Sequence, residues 1–349
     1  MIYKNILVVK LSAIGDVIHA LPVAYALKHA YPEACITWVV EKPSYDLLTN
    51  NPYIDEIIIF DKPEFKSVSG LLLNGYQLSK QLKSRRFDLV IDLQGLFKSA
   101  AIAYLSGAEK RLVYCNAREL SHLVSQRICG EHENDHVVDR YLDVPRHLGI
   151  KIDQVQFPIA ISEIEAQRAE TIANHAGFKI DQPYVVLAPG TNWPSKCWPT
   201  THFSQLVDKL YDKNIIPVLI GGPNDTRLAN QIIANSKIPP IDLTGKTSLK
   251  QLAYIIKKAK IFVGGDTGPM HLAAAVETKV IAIFGPTDPK RNGPYGEANV
   301  VLQGDKKCLS CWKRACKYGN QATCMSDVSA NQVYDAIRKE GLLTDGINS

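Results

Sequence analysis

The stretch KIFVGGDTGPMHLAA (260–274) decides how this chain is read. An apolar β-type run, IFVGG, breaks at Asp266, and a helix-compatible run follows from Met270. Gly264, Gly265 and Gly268 free the backbone at the break, and Pro269 suits the first turn of a helix. Unpaired N–H groups at such a helix start attract anions, so strand, glycine turn and helix together suggest a phosphate cradle. Thr267 can cap the helix or touch a phosphate oxygen, and His271 lies one turn in. The spacing fits neither G-x-G-x-x-G nor G-K-[ST]. Read alone, the turn is equally an ordinary β–α connection whose acid caps a helix.

The same rhythm runs through the rest of the chain. Apolar runs at 5–10 (NILVVK), 35–40 (CITWVV), 56–60 (EIIIF) and 87–93 (FDLVIDL) alternate with helical stretches, notably 16–30 and 70–84. The pattern restarts with YVVLAP (184–189), IIPVLIGG (215–222), IFVGG (261–265) and VIAIFG (280–285). Alternation of this kind is the signature of βαβ units and parallel sheets. The polar stretch 151–182 lacks a strand rhythm and marks a boundary. The expected division is 1–165, 166–325 and a C-terminal helix, 326–349, packing back on the first domain. Two such halves imply a cleft, with ligands beyond the carboxyl ends of the strands.

Composition agrees with this reading. A chain of 349 residues is long for one core, and 46% hydrophobic with 21% charged residues describes a soluble globular protein. The net charge of +5 permits an anionic partner and is too slight for a nucleic-acid-binding face. Lys4, Lys10 and Asp16 interrupt the N-terminal apolar run, so it does not read as a signal peptide. No segment reaches the roughly 18 uninterrupted apolar residues of a spanning helix. A cytoplasmic protein without a transmembrane segment, peripheral on the inner face of the inner membrane, is the expectation.

Three further strand ends carry polar residues. The first runs KLSAIGDVIH (10–19), where Asp16 is either a helix cap or a general base. The fourth ends DLQGLFKS (92–99), with Gln94 and Lys98 placed to hold hydroxyls and an anion; alone it is a polar turn with a solvated lysine. Arg118, His136 and Arg140 add cationic groups to that half, and arginine's planar fork suits carboxylate and phosphate. APGTNWPSKCWP (188–199) brings Thr191, Ser195 and Lys196 near a helix start. There Lys196 is a diphosphate partner or a loop lysine. Asp225, in GGPND (221–225), is a ribose ligand or a cap.

Taken in order, these turns resemble glycosyltransferase family 9, the heptosyltransferases of lipopolysaccharide inner-core synthesis. The matching motifs are V-K-x-S-x-x-G-D-V-I-H-x-L-P (9–22), D-x-Q-G-L-x-K-S (92–99), W-P-S-K-x-W-P (193–199) and G-D-T-G-P-M-H-L-A-A-A (265–275). The resemblance implies a GT-B enzyme of α/β class, two Rossmann-like parallel-sheet domains facing a central cleft. It implies inverting, metal-independent transfer of L-glycero-D-manno-heptose from ADP-heptose. Asp16 would be the base; Gln94, Lys98, Arg118 and His136 would face the acceptor. Thr191, Lys196, Asp225, Asp266, Thr267, Gly268 and His271 would hold the donor.

The Q-G-L-x-K-S variant is more like the first heptosyltransferase, acting on Kdo-lipid A, than the second. A second heptosyltransferase or a GT-B epimerase is the alternative. One departure bears on the acceptor: members acting on Kdo often carry a basic cluster after the third strand, and here the segment is DKPEFKS (61–67).

Eight cysteines complete the reading, four of them scattered and four crowded as Cys308, Cys311, Cys316 and Cys324. The spacing C-x₂-C-x₄-C-x₇-C suits a structural zinc or iron, with a redox pair or unliganded thiols as alternatives. Lys306, Lys307, Lys313, Arg314 and Lys317 surround it.

Overall fold

The structure, a computed structural model, describes residues 3–65, 68–119, 121–305, 307–319 and 323–341. Lys66, Ser67 and Lys306 therefore lie outside the described residues, as does the end of the expected C-terminal helix, 342–349. The chain divides into two units between Ala160 and Ile161.

In the first unit, β1 (Asn5–Val9), β2 (Cys35–Glu41), β3 (Glu56–Phe60), β4 (Leu89–Asp92), β5 (Lys110–Tyr114) and β6 (Gln126–Ile128) form one sheet. Its order is β3-β2-β1-β4-β5-β6, and every pairing is parallel. In the second, β7 (Tyr184–Ala188), β8 (Ile216–Leu219), β9 (Ile241–Asp242), β10 (Ile261–Gly265), β11 (Val280–Phe284) and β12 (Val300–Gln303) do the same, ordered β12-β11-β10-β7-β8-β9. Counted from its own first strand, each sheet has the doubly wound order 3-2-1-4-5-6. The expected strands and the helices at 16–30 and 70–84 are present, the helices as Ile14–Ala30 and Val68–Lys83.

The physical basis is burial on both sheet faces. Helical crossovers cover a parallel sheet above and below, so its central strands must be apolar throughout rather than alternating. Ile6, Leu7, Val8 and Val9 are 0% exposed, and so are Ile261, Phe262 and Val263. Each such side chain contributes about 1.5–3 kcal/mol.

The polar linker holds a helix, Glu163–His175, capped by Ser162, whose hydroxyl accepts the Glu165 N–H. It straddles the 165/166 boundary and packs on the helix Leu249–Lys258 of the second unit. Near the C-terminus, helix Ala330–Lys339 buries Val333 and Ile337 in the second unit's core, against helix Thr200–Tyr211 and β11. The apolar face of that helix is thereby occupied within its own unit.

Topology fixes where a site can form. The strand order reverses between β1 and β4 in one sheet and between β7 and β10 in the other, and crevices open outside the carboxyl ends at such points. Asp16 and Gln94 follow β1 and β4; Thr191–Lys196 and Asp266 follow β7 and β10.

Candidate active site

In the second unit, β10 ends in Gly264 and Gly265 because neighbouring atoms come too close for side chains. A Cβ on Gly264 would lie 3.1 Å from the Ala188 Cβ, and one on Gly265 would lie 2.9 Å from the Lys196 carbonyl oxygen. Neither glycine has the left-handed φ that free rotation at the break would have used. Their role is close approach, which seats the 191–196 loop directly on the strand end.

That approach brings Lys196 Nζ to 2.6 Å from Asp266 Oδ2, while His271 Nε2 lies 3.4 Å from Asp266 Oδ1. Burial pushes the Asp266 carboxyl up, but His271 and Lys196 outweigh it and hold its pKa at about 2. Asp266 is therefore a carboxylate at any physiological pH. Both of its oxygens face cationic or hydrogen-bonding partners, so its direct effect is to orient Lys196 and His271. Lys196 also lies over the Trp193 ring, 4.5 Å from its centroid. Trp198, 2% exposed, anchors the loop by donating its indole N–H to the Val328 carbonyl at 2.7 Å.

Thr267 caps the helix Gly268–Ala275, its hydroxyl accepting the Met270 N–H. Gly268 opens that helix with Pro269 beside it, so the N-terminal amides face the strand end. Thr191 donates its hydroxyl to the Trp193 carbonyl at 2.5 Å. Asp225 accepts the Gly222 N–H at 2.8 Å and fills the space beside Gly190, where a Cβ would lie 2.1 Å from its carboxyl carbon. Thr191, Lys196, Asp225 and the 266–271 turn thus share the carboxyl ends of β7, β8 and β10.

In the first unit, Asp16 occupies the third position of helix Ile14–Ala30 and accepts the Ala13 N–H at 3.1 Å. Gln94 Oε1 accepts the Leu11 and Ser12 N–H groups, each at 3.1 Å, and so shapes the loop that carries Asp16. Asp92, 1% exposed, organises the next turn: its Oδ1 accepts from the Gln94 and Gly95 N–H groups and its Oδ2 from the Ser99 hydroxyl. Gly95 adopts φ +65° and accepts the Arg118 N–H at 2.8 Å, tying the turns after β4 and β5 together. Lys98 is ion-paired with Glu41. His136 caps helix Val137–His147 and meets the His19 ring edge-on at 5.3 Å.

Sequence reasoning passed over two of these groups. Glu41, the partner of Lys98, lies at the end of β2 and outside every motif. Lys10, 3% exposed, donates to the Leu93 carbonyl at 3.0 Å and the Tyr141 hydroxyl at 2.8 Å. Burial lowers its pKa, but Tyr141, Asp16 and Asp92 more than offset that and leave it raised. An apolar strand ending in lysine reads as an ordinary strand terminus; only Tyr141, far along the chain, shows the ammonium turned inward.

A cavity of about 1070 Å³ opens at the opposite ends of the first sheet, lined by Tyr3, Lys83, Arg86 and Lys110 among others. Ligands of open α/β sheets sit at carboxyl ends. The switch-point residues of each unit, not this hollow, form that unit's candidate site.

The profile of glycosyltransferase family 9 (heptosyltransferase) matches residues 76–322. The chain belongs to that family. It is a glycosyltransferase of the GT-B fold class. Lipopolysaccharide heptosyltransferase 1 of Pseudomonas aeruginosa is 29% identical over 324 residues, spanning 90% of this chain and 88% of the relative. The solved family 9 glycosyltransferase of Veillonella parvula superposes with a TM-score of 0.86 at 27% identity, covering 98% of each chain. Escherichia coli heptosyltransferase WaaC with ADP-2-deoxy-2-fluoro heptose superposes at 0.73 with 27% identity, over 97% of this chain and 100% of that one.

The C-terminal cysteine loop docks beside the 191–196 loop. Ser310 and Trp312 donate N–H groups to the Gly285 and Pro286 carbonyls at 2.8 and 2.7 Å, and the Ser195 hydroxyl donates to the Lys313 carbonyl at 2.6 Å. Burial pushes the Cys324 thiol up, and Cys308, Cys311 and Cys316 push it further, so the four thiols share one neighbourhood. They form no group whose ligand atoms all lie within 4.8 Å; among the described residues Cys115, Cys129 and Glu133 do.

Proposed function

We propose that the enzyme transfers L-glycero-D-manno-heptose, with inversion, from ADP-heptose to a Kdo-lipid A-type acceptor in lipopolysaccharide core assembly. The observation that carries this reading is the Asp266–Lys196–His271 cluster at the capped start of helix Gly268–Ala275. A cation held beside the start of a helix suits a departing diphosphate. The names of the relatives, lipopolysaccharide heptosyltransferases, and the ADP-sugar analogue bound by WaaC supply the sugar and the nucleotide.

The reaction is a single displacement. Asp16 takes the proton of the acceptor hydroxyl, whose oxygen forms the new bond to the anomeric carbon. The bond from that carbon to the β-phosphate oxygen breaks on the opposite face, and ADP leaves with the electron pair. Positive charge builds on the sugar ring in an oxocarbenium-like transition state. Lys196 and the backbone N–H groups of Thr267 and Gly268 stabilise the growing diphosphate charge. Thr191 faces the diphosphate, His271 and Asp266 the transferred sugar, and Asp225 the ribose. Lys98, Arg118, Gln94 and His136 meet the acceptor, with the two cations suited to Kdo carboxylates.

The acceptor is membrane-anchored, so the enzyme works peripherally at the cytoplasmic face. Among the described residues no helix is long and apolar enough to cross a membrane. The test offers ADP-heptose with Kdo-lipid A, and separately with its heptosylated product, and follows ADP release. Release with Kdo-lipid A is the expected result. Turnover only with the heptosylated acceptor would make this a second-step enzyme, and turnover with neither would remove the reading.

We infer further that Cys308, Cys311, Cys316 and Cys324 hold a structural zinc or iron with no part in the chemistry. The hydrogen bond from Ser195 to the Lys313 carbonyl gives such a knuckle a use, since it would brace the loop carrying Lys196. Stoichiometric zinc or iron in protein purified without added metal, lost in Cys308→Ser/Cys311→Ser, is the expected analysis. Its absence from the unaltered protein removes the site.

A further inference from the structure

A second thiol cluster lies in the first unit, and no motif predicted it. Parallel pairing of β5 and β6 sets Tyr114 opposite Ile128, so the next residues, Cys115 and Cys129, emerge side by side at the carboxyl ends of the two strands. The turn that follows returns Glu133 to them, and one ligand atom from each of the three residues lies within 4.8 Å of the others. Three ligands of a tetrahedral zinc, with Zn–S near 2.3 Å, stand about 3.5–4 Å apart. Small side-chain rotations close the remaining gap.

The surrounding structure holds this arrangement in place. Asp143, 2% exposed, lies beneath it and accepts the Tyr114 hydroxyl at 2.9 Å and the His132 N–H at 3.2 Å, both through Oδ2. One buried carboxylate therefore pins the residue before Cys115 and the turn after Cys129. Gly130 makes that possible, because a Cβ there would lie 2.1 Å from the Asp143 carboxyl carbon. Arg146, 3.2 Å from the other carboxylate oxygen, balances the charge. A pair of cysteines that merely filled space would need no such support for the backbone on both sides.

We propose that Cys115, Cys129 and Glu133 form a divalent-zinc site on the acceptor-side unit, its fourth position open to water. Two thiolates and a carboxylate match the preference of zinc for soft sulfur with one oxygen ligand, and three protein ligands plus water is a standard open zinc geometry. Cys129 and Glu133 are exposed, so the ion has a path in. Cys115 lies three residues before Arg118, whose N–H is already bonded to Gly95. Zinc would fix the near end of the same turn and hold it against β6. The site belongs to a different unit from the C-terminal cysteines and does not depend on which sugar acceptor the enzyme uses.

The test loads the full-length protein with Zn²⁺ under reducing conditions, removes weakly held metal and counts the zinc retained. Cys115→Ser/Cys129→Ser and, separately, the exposed Glu133→Gln are compared with the unaltered chain. The cysteine double variant is expected to lose one equivalent of zinc, and Glu133→Gln to bind that equivalent more weakly. Co²⁺ in its place should give thiolate charge-transfer and tetrahedral d–d bands that the double variant lacks. In parallel, alkylation followed by peptide mapping should show Cys115 and Cys129 protected by Zn²⁺. Glu133→Gln, changed only at an exposed side chain, keeps the test open should the double variant fail to fold. Equal zinc content in every variant, or alkylation of Cys115 and Cys129 indifferent to Zn²⁺, overturns the proposal. So does a Cys115–Cys129 disulfide that persists in reductant and excludes the ion.

Discussion

Asp16→Asn should reduce heptose transfer by about 10²–10⁴-fold, the usual share of a positioned general base. Asparagine is the informative replacement because it keeps the local structure. Asp16 accepts the Ala13 N–H at 3.1 Å, and an amide oxygen can accept the same bond. The loop therefore stays in place while the proton acceptor is lost. ADP affinity should be unchanged, since every proposed donor contact belongs to the other unit. The fall belongs in kcat, measured as ADP release at saturating donor and acceptor. A variant with kcat within a few-fold of the unaltered enzyme would leave Asp16 as a helix cap and no more. A parallel loss of ADP affinity would move it to donor binding.

The distinction between cap and base shows what this sequence can and cannot reveal. Strand positions were legible because the central strands are buried on both faces and so read as unbroken apolar runs. The strands that were missed, β5, β6, β9 and β12, are short or carry charge: KRLVY begins with two cations, and β9 is only Ile241–Asp242. β6, β9 and β12 are edge strands, which need less burial and so carry less pattern, whereas β5 is interior and is masked by its charged start.

Turn residues at the carboxyl ends were legible for a related reason. A β–α turn at a switch point concentrates glycine, proline and polar side chains in a few positions. Partners distant in sequence were not. The Lys98–Glu41 ion pair joins residues 57 apart, and the Lys10–Tyr141 bond spans 131. No local periodicity encodes either. Nor did sequence distinguish the two uses of glycine at 264 and 265, where crowding by neighbouring atoms rather than unusual φ excludes a side chain. The Cys115–Cys129 pair was hidden for the same reason as β5 and β6: without those strands, two scattered cysteines have no common register.

Lys196→Met is the second substitution with a large expected effect, and it separates electrostatics from packing. Methionine keeps an apolar stem over Trp193 and removes the ammonium that lies 2.6 Å from Asp266. If Lys196 stabilises charge that grows on the diphosphate, kcat should fall about 10²–10³-fold, as when one preorganised donor to a developing anion is lost. KM for ADP-heptose should move much less, because charge on the leaving oxygen is greater in the transition state than in the ground state. The same variant has a signature in stability that needs no substrate. The Asp266 pKa lies at about 2 against an ordinary 3.8, so its pairing stabilises the fold above pH 3.8 and that stability drains away as pH falls toward 2. Lys196 supplies part of the depression, after His271. In Lys196→Met the acid-side loss between those values should therefore be smaller, read from denaturant midpoints across the range. A low kcat with an unchanged acid limb would mean that Lys196 acts on substrate without gripping Asp266. The reverse result, a flattened acid limb with kcat intact, would reduce the ion pair to a structural strut and move the diphosphate's stabilisation to the helix amides alone.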